Sequence, residues 1–186
     1  MESDWEVELG GDAPVIEAHW AGFVDLRKEP SRVEALAEVQ KYPALGVALQ
    51  RLNASRSPVW TAKCDFWPRL EEGSWDADEM DALAGETLCA AGCYIDLLPA
   101  ESGAWTELPQ AEAACRSWCA ELRDRPFACG RADLILRRVW MGEDWAGIGV
   151  TAYLTACGAT ESAAQQRLAE GLSLFAGILN SNSTVK

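Results

Sequence analysis

The stretch CGRADLILRRVWMGEDWAGIGVTAYLTA, residues 129–156, decides the fold. Its first half alternates Arg131, Asp133, Ile135 and Arg137 with Ala132, Leu134, Leu136 and Arg138. Successive strand side chains point to opposite faces, so residues 129–140 read as a strand with one charged and one mostly apolar face. Met-Gly-Glu-Asp at 141–144 is a hairpin-like turn signal. Residues 146–156 then set Thr151, Tyr153 and Thr155 against Val150, Ala152 and Leu154. Strands patterned this way belong to a largely antiparallel sheet, covered on one face and wet on the other.

Working outward, residues 13–26, 59–67 and 91–98 also read as strands. In 13–26, His19, Phe23 and Asp25 share one face. In 59–67, Lys63, Asp65 and Trp67 share one, and in 91–98 Tyr94 and Asp96 do. Helical spacing runs from a capping box at Ser31 and Glu34, is interrupted at Pro43, and restarts through Leu45, Ala48, Leu49 and Leu52. Asp76 and Glu79 predict a helix over 77–90. Ala111, Cys115, Trp118 and Leu122 mark a helix over 109–124. Thr160 caps another over 161–180.

Aspartate is depleted in strands, yet four fall in strand-like segments, paired as Asp25 with Asp96 and Asp65 with Asp133 at similar separations. A cation stands two residues before each member of the second pair, as Lys63 and Arg131. These matches predict an α+β fold: a two-layer sandwich of duplicated β-α-β units, similar to a ferredoxin-like arrangement, with a mainly antiparallel sheet and helices on one face. The expected organisation is a single domain over 1–186, with pseudo-repeats at about 13–90 and 91–180 and a flexible tail over 181–186.

The chain has 186 residues, 49% of them hydrophobic, with 29 acids against 16 bases and a net charge of −13. That charge opposes nucleic-acid binding and suits a basic partner. No segment has the roughly 18 continuous apolar residues of a membrane span. The acidic start lacks the regions of a secretory signal, and seven cysteines suit reduced thiols. The expectation is a cytoplasmic protein, with no membrane or nucleic-acid partner and no cofactor.

The wet sheet face is the first candidate binding surface: His19, Asp25, Lys63, Asp65, Trp67, Tyr94, Asp96, Arg131, Asp133, Arg137 and Tyr153, with Phe23 and Thr151 beside them. Aromatic and arginine anchors suit such a face to protein recognition. The acidic run Glu71, Glu72, Trp75, Asp76 and Asp78 is a second, suited to a basic cleft. The spacings Cys89/Cys93 and Cys115/Cys119 fit core packing better than a zinc knuckle, so no metal site is expected. His19, the one histidine, has no nucleophile motif around it. Trp67, Trp75, Trp105 and Trp145 lie in or beside expected loops. The leading expectation is a non-catalytic protein-binding protein, an acidic inhibitor or immunity-type protein occluding a basic partner. The alternatives are a small enzyme or ligand binder using the strand aspartates, and a structural homodimer module.

Overall fold

The hairpin forms where its alternation places it. In the computed structural model, which describes residues 1–82, 89–142 and 144–181, with backbone alone for 144–146, β5 (Gly130–Met141) and β6 (Asp144–Gly158) pair antiparallel. Ala132, Leu134 and Leu136 bury with Val150, Ala152 and Leu154 on one side. Gly142, at φ 69°, turns the chain in the left-handed region that glycine enters without penalty. β4 (Cys89–Pro99) pairs antiparallel with β6, and β3 (Val59–Trp67) antiparallel with β4. The other side of β5 carries two parallel neighbours, β1 (Glu2–Glu8) and the short β2 (Ile16–Ala18). The strand order is β1-β5-β6-β4-β3, with β2 beside the end of β5.

The apolar face of the sheet is covered by α1 (Ala37–Lys41), α2 (Pro43–Leu52), α3 (Leu108–Arg123) and α4 (Glu161–Ser181). Leu168, Leu172, Phe175 and Leu179 recur at three- and four-residue spacing along α4, so one stripe meets Ile95, Leu97, Val150 and Leu154. Each of these large side chains contributes about 2 kcal/mol by leaving water. α3 begins with Pro109 in its first turn, and Glu107 and Gln110 form a reciprocal capping box. Thr160 accepts the Ala163 N–H at the start of α4. Asn53 ties the end of α2 to β3: its amide donates to the Leu49 carbonyl and Thr61 Oγ1, and its Oδ1 accepts the Thr61 N–H.

The mixed α+β fold stands, and several finer expectations change. The sheet is mainly antiparallel, as expected, but β1 and β2 add to it parallel to β5. Residues 13–26 do not form one strand: only Ile16–Ala18 pairs, His19 turns at φ 66° and Gly22 at φ 94°, and Asp25 lies outside any strand. Ser31 does not cap an α-helix; Pro30–Ala35 is a 3-10 turn that starts on its proline. The helix expected over 77–90 is a single 3-10 turn, Asp78–Met80, ended by Asp81 at φ 52°; residues 83–88 of that expectation lie outside the described residues, as do 182–186 of the expected tail. The two proposed repeats occupy unlike places. β2 and β3 lie at opposite margins of the sheet, whereas β4 and β5 are joined through α3 and separated by β6 alone. No helix among the described residues is long and apolar enough to cross a membrane.

Candidate functional site

The face away from the helices is covered at its two ends and open between them. At one end, Ile16 and Ala18 bury with Trp60, Ala62, Leu98 and Val139. Phe23 packs there, with ring centroids 6.1 Å from Trp60 and 5.1 Å from His19. Arg27 lies over the same tryptophan, its Cζ 3.8 Å from the ring centroid. Asp25 holds it there: its carboxylate accepts Arg27 Nε and Nη2, both at 2.8 Å, and the Arg27 backbone N–H at 3.1 Å. The arginine beside it holds the Asp25 carboxyl down at about 2. Asp25 and His19 are thus parts of a cover over the sheet rather than of its strands.

The acidic loop makes the cover at the other end. Met80 buries with Ala90 and Cys157, and Leu70, Trp75 and Cys129 pack against them. The Leu70 N–H donates to the Ala90 carbonyl and the Cys129 N–H to the Met80 carbonyl, both at 2.8 Å. Glu79 meets Arg131 Nη1 at 3.4 Å. Glu72, Asp76 and Asp78 remain exposed on this cover, and Glu71 is exposed at the edge of the open face.

Between the covers lies a trough whose floor is the sheet. β5 contributes Asp133, Ile135 and Arg137, β6 Thr151 and Tyr153, β4 Tyr94 and Asp96, and β3 Asp65 and Trp67. A polar chain crosses it. Arg137 Nη2 donates to Glu8 Oε2 of β1 at 2.9 Å, and Arg137 Nη1 to Thr151 Oγ1 at 3.3 Å and Tyr153 Oη at 3.4 Å. The Thr151 hydroxyl donates to Asp96 Oδ1 at 2.6 Å. An aromatic row runs beside it, with centroids 5.8 Å apart for Trp67 and Tyr94 and 5.9 Å for Tyr94 and Tyr153. Two cavities share Tyr153. One of about 370 Å³ is lined by Asp4, Glu6, Arg131, Asp133 and Ile135; the other, of about 490 Å³, by Trp67, Arg69, Glu71, Gly92 and Thr155.

The four aspartates of the sequence separate into two kinds. Asp25 pairs with Arg27, and Asp133 with Arg131 Nε at 2.8 Å. Asp65 and Asp96 have no ion pair among the described residues. Asp65 Oδ1 accepts the N–H of Phe66 at 2.8 Å. Lys63, two residues before Asp65 in the sequence, stands with Nζ 5.8 Å from the Trp20 ring centroid. Asp96, expected on a wet surface, is only 6% exposed. Burial pushes its carboxyl up to about 6, against the opposing pull of the Thr151 hydrogen bond, Arg137 and Lys63. Burial, helped by Asp96 and Asp65, also raises the Tyr94 phenol. Among the described residues, Asp96 Oδ2 accepts no hydrogen bond, and Asn180 Oδ1 is the one unsatisfied side-chain oxygen sealed from solvent. Asp96 Oδ2 is therefore an unengaged acceptor with access to solvent.

Other candidates fall elsewhere. Cys115 and Cys119 pack in the core. Cys89 and Cys93 lie on a strand, not a helix. No group of three or more metal-ligating side chains exists among the described residues. Trp105 lies in the loop where it was expected but is buried edge-on against Trp118, and the Trp145 side chain lies outside the described residues. The acids of β1 that rim the trough, Asp4, Glu6 and Glu8, were not among the sequence candidates. Their signal was the alternation of Glu2, Asp4, Glu6 and Glu8 with Ser3, Trp5 and Val7. Comparison with protein-family models, curated proteins and solved structures finds no match to the chain.

Proposed function

We propose that this chain is a non-catalytic protein-binding protein that docks a basic segment of its partner in the trough, in the manner of an acidic inhibitor. The observation that carries this reading is the pair Asp65 and Asp96, two carboxylates without an ion-pair partner among the described residues, set beside the row Trp67, Tyr94 and Tyr153. A desolvated carboxylate is costly until a cation meets it, and aromatic faces attract cations further. The acids of β1 along one rim and Glu71 and Glu72 on the other cover extend the same sign, which steers a basic partner in and repels a phosphate backbone. In this reading the fold is a two-layer sandwich whose uncovered side is the docking side. A homodimer through this face would bring like charges together, which costs affinity.

Fluorescence anisotropy tests it, with labelled nine-residue peptides carrying lysine and arginine at alternate positions and glutamine versions as controls. The basic peptides bind, bind less tightly as NaCl rises, and lose tenfold or more in affinity to Asp65→Asn/Asp96→Asn and to Tyr94→Ala. Equal binding of the glutamine peptides sinks the proposal. So does binding that survives in the trough variants and disappears in Glu71→Gln/Glu72→Gln/Asp76→Asn.

A further inference from the structure

We propose that the trough contains an ammonium subsite between Asp65 and Asp96, beside Tyr94, that takes the side-chain amine of one lysine in the docking segment; this rests on the docking reading above. Asp65 is the direct cross-strand partner of Tyr94, and Asp96 lies two residues further along the same strand as Tyr94. Both carboxylates therefore flank one ring on one face of the sheet, at the diagonal spacing of neighbouring strands, roughly 7 Å.

The hydrogen bonds already made select the cation. Oδ1 of Asp65 is engaged by the Phe66 N–H and Oδ1 of Asp96 by the Thr151 hydroxyl. What remains is one oxygen on each of two separate carboxylates. A guanidinium prefers both oxygens of one carboxylate in a planar fork, whereas an ammonium is a compact charge with three rotatable donors. Two single acceptors and an aromatic face match the ammonium. The two described cations that pull on the Asp96 charge close no ion pair with it: Arg137 bonds Glu8, Thr151 and Tyr153, and Lys63 stands over the Trp20 ring.

Binding also depends on pH in a defined direction. The charged or titratable groups around the Asp96 carboxylate are Lys63, Cys64 and Asp65 from β3, Tyr94 on its own strand, and Arg137 from β5. Burial pushes the Asp96 carboxyl up to about 6, so its charge changes in this range. An arriving ammonium favours the ionised form and pulls that titration downward.

The experiment uses the full chain and a nine-residue peptide of serine, threonine and valine with one central lysine, against versions with arginine or norleucine there. Affinity is read by anisotropy and the Asp96 carboxyl by its ¹³C shift across pH 4–8. The lysine peptide binds at least tenfold tighter than the other two at pH 8, weakens by tenfold or more by pH 5, and lowers the Asp96 midpoint. Asp96→Asn removes both the preference and the pH dependence. If arginine and norleucine peptides match lysine while the basic peptides above still need Asp65 and Asp96, the ammonium subsite is wrong and docking stands. If the basic peptides do not depend on the trough at all, the docking reading itself falls. A lysine preference that persists unchanged in Asp96→Asn also overturns the subsite.

Discussion

Replacing Asp96 with asparagine stabilises the protein above about pH 6 and loses that effect at acid pH. The Asp96 carboxyl is pushed from its ordinary 3.8 up to about 6 by burial, so the folded state holds its proton more tightly than the unfolded chain does. The contribution of this group is then most favourable below pH 3.8 and is lost as pH rises through about 6. The gap between the two values amounts to about 3 kcal/mol. Asparagine has nearly the same shape, can still accept the Thr151 hydroxyl through Oδ1, and never ionises. It gives up the attraction of Arg137 and Lys63, which already offsets part of the burial cost within the value of about 6. The net expectation is therefore the whole gap, about 3 kcal/mol at pH 8, shrinking to well under about 1 kcal/mol at pH 4. Urea denaturation of both proteins at pH 4, 5, 6, 7 and 8 reads the difference, in which the other acids cancel. A variant that is less stable than the parent at pH 8, or a difference that does not change with pH, refutes the assignment of Asp96 as a desolvated carboxylate without an ion pair.

Three further changes test the frame of the trough. Asn53→Ala removes three buried bonds, two of which join α2 to β3, and leaves the Thr61 N–H unsatisfied, costing about 3 kcal/mol in urea denaturation at any pH between 5 and 8. Gly147→Ala puts a Cβ 2.7 Å from the Trp105 carbonyl oxygen at φ 116°, and costs about 3 kcal/mol by the same measurement; a neutral result would mean the β6 backbone does not hold that conformation. Asp25→Asn loosens Arg27 from Trp60. Its carboxyl is held at about 2, so its stabilisation is present above pH 3.8 and is lost as pH falls through about 2. Solvent at the cover screens the effect to about 1 kcal/mol at pH 7, visible as a smaller difference between the two proteins below pH 3.

The strands and long helices were legible because their periods are unbroken. Alternation located β3 through β6 to within about two residues, and the stripe from Ala111 to Leu122 located α3. What was misread has specific physical causes. The alternation of residues 13–26 is real, but left-handed turns at His19 and Gly22 fold those residues back onto Trp60, and backbone of that kind leaves no periodic trace. The acids Glu2, Asp4, Glu6 and Glu8 resembled a charged terminus, yet Ser3 and Trp5 between them turn to the helix layer, where Ser3 donates to the Ala132 carbonyl and Trp5 carries Arg116 over its ring. The burial of Asp96 was not legible either, since parity gives the face of a side chain and not the depth of the surface on which it stands.

The two cation-x-aspartate triplets, Lys63-Cys64-Asp65 and Arg131-Ala132-Asp133, look equivalent in sequence and are not equivalent in the fold. On β5 the pairing with β6 is regular through this stretch, so Arg131 and Asp133 share a face two residues apart and close an ion pair. On β3 Thr61 pairs with Leu97 and Cys64 with Ile95, which places one extra residue on β3. A bulge of this kind re-aims the side chains around it. Ala62 keeps its place on the trough side of the sheet, in contact with the cover residues, and Lys63 is carried outward over Trp20. Asp65 is thereby left without the cation its sequence offers. The open acceptor of the trough is a consequence of this single irregularity: deleting Ala62 to restore a regular ladder sets Lys63 opposite Asp96 and two residues from Asp65 on one face, and should abolish basic-peptide binding, whereas Lys63→Met leaves the bulge and both acceptors in place and should keep it. Binding that survives the deletion in a chain still folded by circular dichroism would show that the trough does not depend on the bulge.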